Sequence, residues 1–110
     1  MSDAADPRTP ALVIAGRVSI DPANREAAVA AATEMMRETR REPGCISYTF
    51  SADLEEPGAF RLFEEWESQA ALDAHFASPH MTAFQGKVGA LGVKEMTVRR
   101  YAIESVGPLG

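Results

Sequence analysis

The order of strand and helix signals along the chain constrains its fold more than any other feature. Apolar residues at alternate positions predict four β-strands, at residues 12–20, 45–52, 60–66 and 93–103. Helical spacing occupies the segment after the first strand and the segment after the third. The sequence therefore predicts a βαββαβ chain, the ferredoxin-like arrangement of an α+β domain, with a four-stranded antiparallel sheet and helices on one face.

Capping residues predict where the helices begin. Asp21-Pro22 supplies an N-cap and a first-turn proline for a helix that runs to about Arg41 and stops at Pro43-Gly44. Ser68 and Ser78 cap two short helices in the second half of the chain. We expect the buried stripe of the first helix to consist of Ala28, Val29, Ala32 and Met36, flanked by Ala31 and Met35.

The strand patterns also predict which side chains share a face. Tyr48 and Phe50 lie on the apolar face of the second strand, and Cys45 lies on its opposite face. On the third strand, Glu64 and Trp66 share the core-facing side. Five residues are expected on the face without helices, and a homodimer through this sheet face would cover them. They are Val13, Ala15, Phe63, Met96 and Val98.

Length, charge and cysteine content exclude several classes of protein. The 110 residues form one domain, expected at 11–105 between flexible tails at 1–10 and 106–110. A net charge of −5 without a basic cluster argues against a nucleic-acid surface. No apolar run is long enough to span a membrane, and no signal-peptide pattern is present. The single Cys45 indicates a reducing compartment, so we expect a cytoplasmic protein.

The stretch 64–84 contains the only tryptophan, Trp66, and both histidines, His75 and His80. His75 is the natural general base, because the reference pKa of imidazole is nearest neutrality; a hydrogen-bonded core histidine is the open alternative. His80 is expected to cap a helix or lie at the surface. Glu64 is either a buried carboxylate, paired with His75 or an arginine, or a residue at a wet sheet edge. No carboxylate joins the two histidines at metal-ligand spacing, so no metal is predicted.

Several spaced residues resemble a known family. They are Glu42-Pro43-Gly44-Cys45, Tyr48, Glu64-x-Trp66-x-Ser68, Leu72-x-x-His75 and Ser78-Pro79-His80-Met81-x-x-Phe84. Across residues 11–105 the chain resembles the antibiotic biosynthesis monooxygenase (ABM) domain family, most closely its bacterial quinol-monooxygenase-like members. The resemblance implies a dimeric α+β barrel with a pocket between sheet and helices. It also implies oxidation of a quinol or polyphenol by O₂, with no metal, flavin or haem cofactor.

Such a reaction requires a base, a donor for oxyanion charge and a dry aromatic pocket. We predict His75 and Trp66 as the catalytic residues, with Trp66 Nε1–H or the Tyr48 hydroxyl steadying an oxygen. The predicted substrate-binding residues are Tyr48, Phe50, Glu64, Phe76, Met81 and Phe84.

Two other functions stay open at this point. An isomerase of an anionic sugar derivative would need arginines in the pocket, from Arg17, Arg61 or Arg99. A non-catalytic stress protein or a module that binds quinones or haem is the third possibility. Haem breakdown is disfavoured, because Gly16, His75 and Gln85 stand where haem-degrading relatives carry Asn, Trp and a haem-ligating His.

Overall fold

Four strands form one antiparallel sheet in the order β2-β3-β1-β4. The strands are β1 (Leu12–Ile20), β2 (Cys45–Ala52), β3 (Ala59–Trp66) and β4 (Val93–Ala102). Three helices, α1 (Arg25–Thr39), α2 (Gln69–Phe76) and α3 (Pro79–Val88), pack on one face. The computed structural model describes residues 8–110. The predicted ferredoxin-like α+β arrangement is confirmed, with two short helices between β3 and β4.

The first helix differs from its prediction at both ends. The Asp21 carboxylate caps a 3₁₀ turn, Pro22–Asn24, by accepting from the N–H of Ala23, and α1 begins only after that turn. The helix ends at Thr39, two residues earlier than expected.

The buried stripe of α1 was also predicted wrongly in part. Val29 is exposed and Met36 only half-buried, whereas Ala31 and Met35 are buried. The stripe is turned toward α3, which packs against α1 and covers the Ala31–Met35 side. The apolar pattern alone contained two adjacent stripes, and only the position of α3 distinguishes them.

A β-bulge at the start of β2 overturns the prediction for Cys45. Cys45 pairs with Trp66 and Ser47 pairs with Glu65, so Ile46 is an additional residue on this strand. An additional residue changes the face on which the following side chains lie. Cys45 and Tyr48 are therefore both buried in the same core cluster, although simple alternation assigns them to opposite faces.

The register of β4 corrects the predicted outer face. Val18 of β1 lies opposite both Phe60 and Met96, and Gly16 lies opposite Val98. Directly opposed residues point to the same side of a sheet. Met96 and Val98 therefore face the helix-covered side, and their assignment to the uncovered face was wrong. The sequence shows that a strand has two faces but does not show which of them meets the helices.

The uncovered face keeps the other three predicted residues, Val13, Ala15 and Phe63. The register adds Tyr101, which lies opposite Val13. Phe63 and Tyr101 are each 46% exposed. The outer face is therefore apolar at one end and unprotected within a single chain.

The segments outside the domain are described only in part. Of the predicted tail at 1–10, residues 1–7 lie outside the described residues. Arg8 contacts Glu67 and the carbonyl of Cys45, and Pro10 is buried, so this end of the segment is attached to the domain. Residues after Ala102 form no further helix or strand. Within residues 8–110, none of the helices has the length and apolar character needed to cross a membrane.

Gly16 allows β1 and β4 to approach closely. A Cβ atom at this position would lie 2.1 Å from the Thr97 carbonyl oxygen and 2.5 Å from Val98 Cα. We expect Gly16→Ala to lower the free energy of unfolding by about 1–3 kcal/mol, because the backbone of β4 must move. The measurement is urea denaturation.

Gly86→Ala is the matched control, since a Cβ atom there meets nothing within 4 Å. Gly86 lies inside α3, where alanine is a better helix former than glycine. We therefore expect the free energy of unfolding of this control to rise by up to about 1 kcal/mol. Equal stability of the two variants would contradict the close approach of the strands.

Candidate active site

A cavity of about 250 Å³ lies between the sheet and the helices. Its walls are almost wholly apolar, and its size suits a compound with one or two aromatic rings. Every residue predicted to bind substrate lies on the wall: Tyr48, Phe50, Glu64, Phe76, Met81 and Phe84. His75 lies there too. Their part in binding a ligand stays a prediction.

Trp66 does not lie on the cavity wall, which corrects its expected position. Its side chain is 0% exposed and belongs to the core cluster behind the wall. The indole Nε1–H donates to Glu64 Oε1 over 2.7 Å, and the ring centroid lies 4.9 Å from that of His75. The strand pattern gave Trp66 the same face as Glu64 but could not show that α2 packs over this end of β3.

Glu64 is a buried acid on the cavity wall, 4% exposed. Within residues 8–110 its hydrogen-bond partner is Trp66, and neither of the expected partners, His75 or an arginine, forms a hydrogen bond or ion pair with it. Burial raises the pKa of Glu64 to about 7; the Trp66 hydrogen bond opposes this shift, and the negative charge of Glu42 adds to it. Glu64 can therefore both release and accept a proton near neutral pH.

Tyr48 lies opposite Glu64 in the β2–β3 ladder and is 2% exposed. Among the described residues its hydroxyl has no hydrogen-bond partner. Burial, together with the negative charge of Glu64, raises the pKa of the phenol. The hydroxyl therefore stays protonated and can donate to an oxygen in the cavity.

His75 is held by a carboxylate behind the wall. Its side chain is 1% exposed, and Nδ1 lies 2.7 Å from Oε2 of Glu42. A carboxylate accepts, so Nδ1 carries the proton, and in the neutral ring Nε2 then holds the lone pair. Within residues 8–110, Nε2 has no hydrogen-bond partner. The arrangement is that of an oriented general base on an apolar wall.

Glu42 and His80 are the functional candidates that sequence reasoning missed. Nε2 of His80 lies 2.6 Å from the same Glu42 oxygen, and the His80 side chain is largely covered. The expectation that no carboxylate joins the two histidines was therefore wrong. Glu42 precedes His75 by 33 residues, and only folding brings the two together. The family motif that begins at Glu42 was the one signal that marked it.

The arginines that an isomerase would need lie on the other side of the sheet. Arg17 lies opposite Arg61 and next to Ala15, which pairs with Arg99. All three are absent from the cavity wall. Arg17 instead forms ion pairs with Glu56 and Glu95. The feature that would favour an isomerase is therefore not found.

Comparison with known proteins gives the family. The family model described as antibiotic biosynthesis monooxygenase matches residues 11–87. The chain belongs to the antibiotic biosynthesis monooxygenase family. In this ABM domain the matched segment begins just before β1 and includes every cavity residue named above.

Similar ABM proteins and other relatives are known from several bacteria. "Putative monooxygenase Rv0793" of Mycobacterium tuberculosis is 38% identical over 103 residues, covering 92% of this chain and 93% of its own length. "Probable quinol monooxygenase YgiN" of Escherichia coli is 30% identical over 84 residues, covering 69% and 80%. "Uncharacterized protein sll1783" of Synechocystis is 37% identical over 92 residues. The match covers 84% of this chain but only 63% of the longer Synechocystis protein.

Solved structures agree with the fold. The Rv0793 structure superimposes with a TM-score of 0.80 at 31% identity, covering 91% of this chain and all of that one. A Deinococcus radiodurans structure, titled as a putative antibiotic biosynthesis monooxygenase, also gives 0.80, at 27% identity, covering 90% and 99%. The ABM domain architecture is therefore shared with relatives that are named as monooxygenases.

The raised pKa of Glu64 predicts a pH-dependent stability. Folded protein holds this proton more tightly than the unfolded chain, whose pKa is near 4.5. The free energy of unfolding should therefore fall as pH rises from about 4.5 to about 7 and stay low above it. Glu64→Gln keeps an oxygen for the Trp66 N–H and carries no charge. We expect the free energy of unfolding of this variant not to fall with pH, and to exceed that of the wild type by up to about 3 kcal/mol above pH 8.

Urea denaturation across this pH range measures the effect. Glu55→Gln, in the exposed β2–β3 loop, serves as the control and should follow the wild-type profile. If Glu64→Gln and wild type lost stability in parallel, the titrating group would be a different one.

Proposed function

We propose that this protein is a monooxygenase that oxidises a small quinol or polyphenol with O₂ inside the cavity, using no metal or organic cofactor. The observation that carries the proposal is the His75 ring on the apolar wall: Glu42 holds its Nδ1, and its Nε2 has no hydrogen-bond partner among residues 8–110. Family membership and the names of the relatives support the same reaction class. The apolar walls favour a flat aromatic ring over a charged sugar.

His75 begins the proposed reaction by taking a proton from a substrate hydroxyl. The resulting phenolate is electron-rich and transfers an electron to O₂, which the neutral phenol does poorly. Recombination then forms a carbon–oxygen bond and a hydroperoxide on the ring. The O–O bond breaks with loss of water and leaves a hydroxylated quinone. The substrate supplies all the electrons, so no external reductant is needed.

Glu64 and Tyr48 have complementary parts in this scheme. In its protonated form, Glu64 supplies the proton that leaves with the departing oxygen as water. The neutral Tyr48 hydroxyl donates to the substrate oxygen on which negative charge develops. Trp66 is a positioning residue, because it acts by holding Glu64. Because the wall carries few polar groups, it excludes water from the radical and peroxide intermediates.

Oxygen uptake with a panel of hydroquinones tests the proposal on dialysed, metal-free protein. We expect consumption above background and a fall of at least about 10²-fold in turnover for His75→Ala, because the base is lost. Unchanged turnover of the folded His75→Ala variant would assign His75 to the core. If no compound consumed O₂ but one raised the melting temperature, the protein would be a binding module.

Leu72→Ala is the matched control for His75→Ala. Leu72 lies on the same helix, is 1% exposed and does not line the cavity. We expect a similar loss of stability for this variant, with turnover per folded molecule retained.

A homodimer through the uncovered sheet face is part of the proposal. Phe63 and Tyr101 leave apolar surface on that face. All ten residues of β4 are exposed, and Met96 and Val98 line the cavity from this strand. A second copy that covers β4 would shield both the outer face and this side of the cavity.

Analytical ultracentrifugation of Phe63→Glu tests the dimer. We expect wild type to sediment at twice 11.9 kDa and the variant to dissociate at least about 10-fold more readily, because a charge replaces a central apolar contact. Leu54→Glu, on an exposed loop away from this face, should remain dimeric. A monomeric wild type, or an equally dimeric Phe63→Glu, would contradict the proposal.

The cytoplasm is the proposed location. The thiol of Cys45 is buried, and its burial raises its pKa to about 11. It therefore forms neither a disulfide nor a reactive thiolate near neutral pH. This is the behaviour expected of a structural cysteine in a reducing compartment.

A further inference from the structure

The junction of α2 and α3 brings together three side chains of a kind that bind transition metals. Glu42 lies in the loop after α1, His75 in the last turn of α2 and His80 in the first turn of α3. The ligand atoms are Glu42 Oε2, His75 Nδ1 and His80 Nε2, and all lie within 4.8 Å of one another. The loop after α1 therefore meets the α2–α3 junction, more than 30 residues further along the chain, at one point.

We propose that Glu42, His75 and His80 bind a zinc ion behind the cavity wall. Two imidazoles and one carboxylate, with a fourth position open to water, are a ligand set that zinc uses in proteins. Zinc bonds of about 2.0–2.2 Å place neighbouring ligand atoms about 3.3 Å apart. To reach this geometry, the oxygen–nitrogen separations, now 2.7 and 2.6 Å, must lengthen by about 0.6–0.7 Å. The two ring nitrogens, which lie within 4.8 Å of each other, must also come to about 3.3 Å.

The junction holds the two histidines in a fixed relation. Ser78 lies between them, donates its hydroxyl to the carbonyl of His75 over 2.7 Å and accepts from the N–H of Met81. His80 also lines an outer groove between α1 and α3, which shares only Phe84 with the cavity wall. A zinc ion can therefore enter from solvent through this groove without crossing the substrate pocket.

The site does not open into the substrate cavity. Neither Glu42 nor His80 lines it, and His75 would bind zinc through Nδ1, the nitrogen held behind the wall by Glu42. Zinc at this position would not contact the substrate, so a regulatory or structural role follows from the geometry.

Binding would change what His75 presents to the cavity. In the metal-free protein Nδ1 carries the proton and Nε2 the lone pair. With zinc on Nδ1, the neutral ring carries its proton on Nε2 instead, so the acceptor becomes a donor. His80 undergoes the opposite exchange, and no proton is released overall. Zinc would therefore inhibit proton abstraction by His75, a consequence that rests on the proposed function.

Calorimetric titration of chelator-treated, tag-free protein with Zn²⁺ tests the site. We expect one ion per chain and at least about 10-fold weaker binding by His80→Ala and by Glu42→Gln. Glu38→Gln, which removes a carboxylate from the same outer groove, should bind as the wild type does. Absence of zinc binding, or an affinity that falls equally in Glu38→Gln, would overturn the site. Two ligand variants are used so that poor folding of one leaves the test intact.

Nitrogen NMR of His75 reads the proton exchange without any enzyme assay. Zinc should convert Nε2 from a bare to a protonated nitrogen in the wild type, and His80→Ala should need at least about 10-fold more zinc for the same conversion. Absence of conversion in the wild type would overturn the proposed switch.

The oxygen-uptake assay separates the two proposals. Zinc should inhibit wild type and inhibit His80→Ala at least about 10-fold less effectively, each relative to its own metal-free rate. Stoichiometric zinc binding without oxidation of any hydroquinone would refute the enzyme and its inhibition but leave the site. Oxidation unaffected by saturating zinc would refute the inhibition alone.

Discussion

The pairing of β1 with both β3 and β4 is the constraint on which the rest of the structure depends. Each paired residue of β1 lies opposite one residue of β3 and one of β4, and opposed side chains point to the same face of the sheet. Glu64, opposite Ile14, and Met96, opposite Val18, therefore point toward the helices. Gly16 permits this pairing, since a side chain there would collide with the backbone of β4. A shift of one residue would move Glu64 to the outer face and remove the acid from the cavity.

Among the described residues, the two carboxylates at the site are satisfied by ring N–H donors, and these hydrogen bonds divide the site into two parts. Trp66 donates to Glu64 on the sheet, and Glu42 accepts from His75 and His80 at the helix junction. A buried carboxylate without a donor would cost several kcal/mol, so each of these acids depends on its aromatic neighbour. On the cavity-lining residues, these bonds leave His75 Nε2 and the Tyr48 hydroxyl without a hydrogen-bond partner from residues 8–110.

The sequence was informative where local chemistry decides the outcome. Ser68 and Ser78 cap α2 and α3 as predicted, because a serine hydroxyl needs only the N–H groups of the next turn. Prediction from the sequence failed where contacts between distant segments determine the structure. The bulge that buries Cys45, the closure of α2 over Trp66 and the approach of Glu42 to two histidines all depend on contacts across the fold. Seven residues assigned to the site from the sequence lie on the cavity wall, but Met96 and Val98 on the same wall and the hydrogen bonds behind it were not predicted.

Glu42 and Glu64 differ in burial and in the number of hydrogen-bond donors that they meet, and these differences give them different roles in the proposed reaction. Glu42 meets two N–H donors in a partly covered loop, and its negative charge raises the pKa of Glu64. Glu64 meets one donor in an apolar cavity, where burial favours its neutral form. In the proposed reaction, Glu42 therefore supports proton removal by holding His75, while Glu64 keeps a proton available near neutral pH. The proposed reaction must both accept and return a proton, and burial and hydrogen bonding create the required difference between an acid behind the cavity wall and an acid on it.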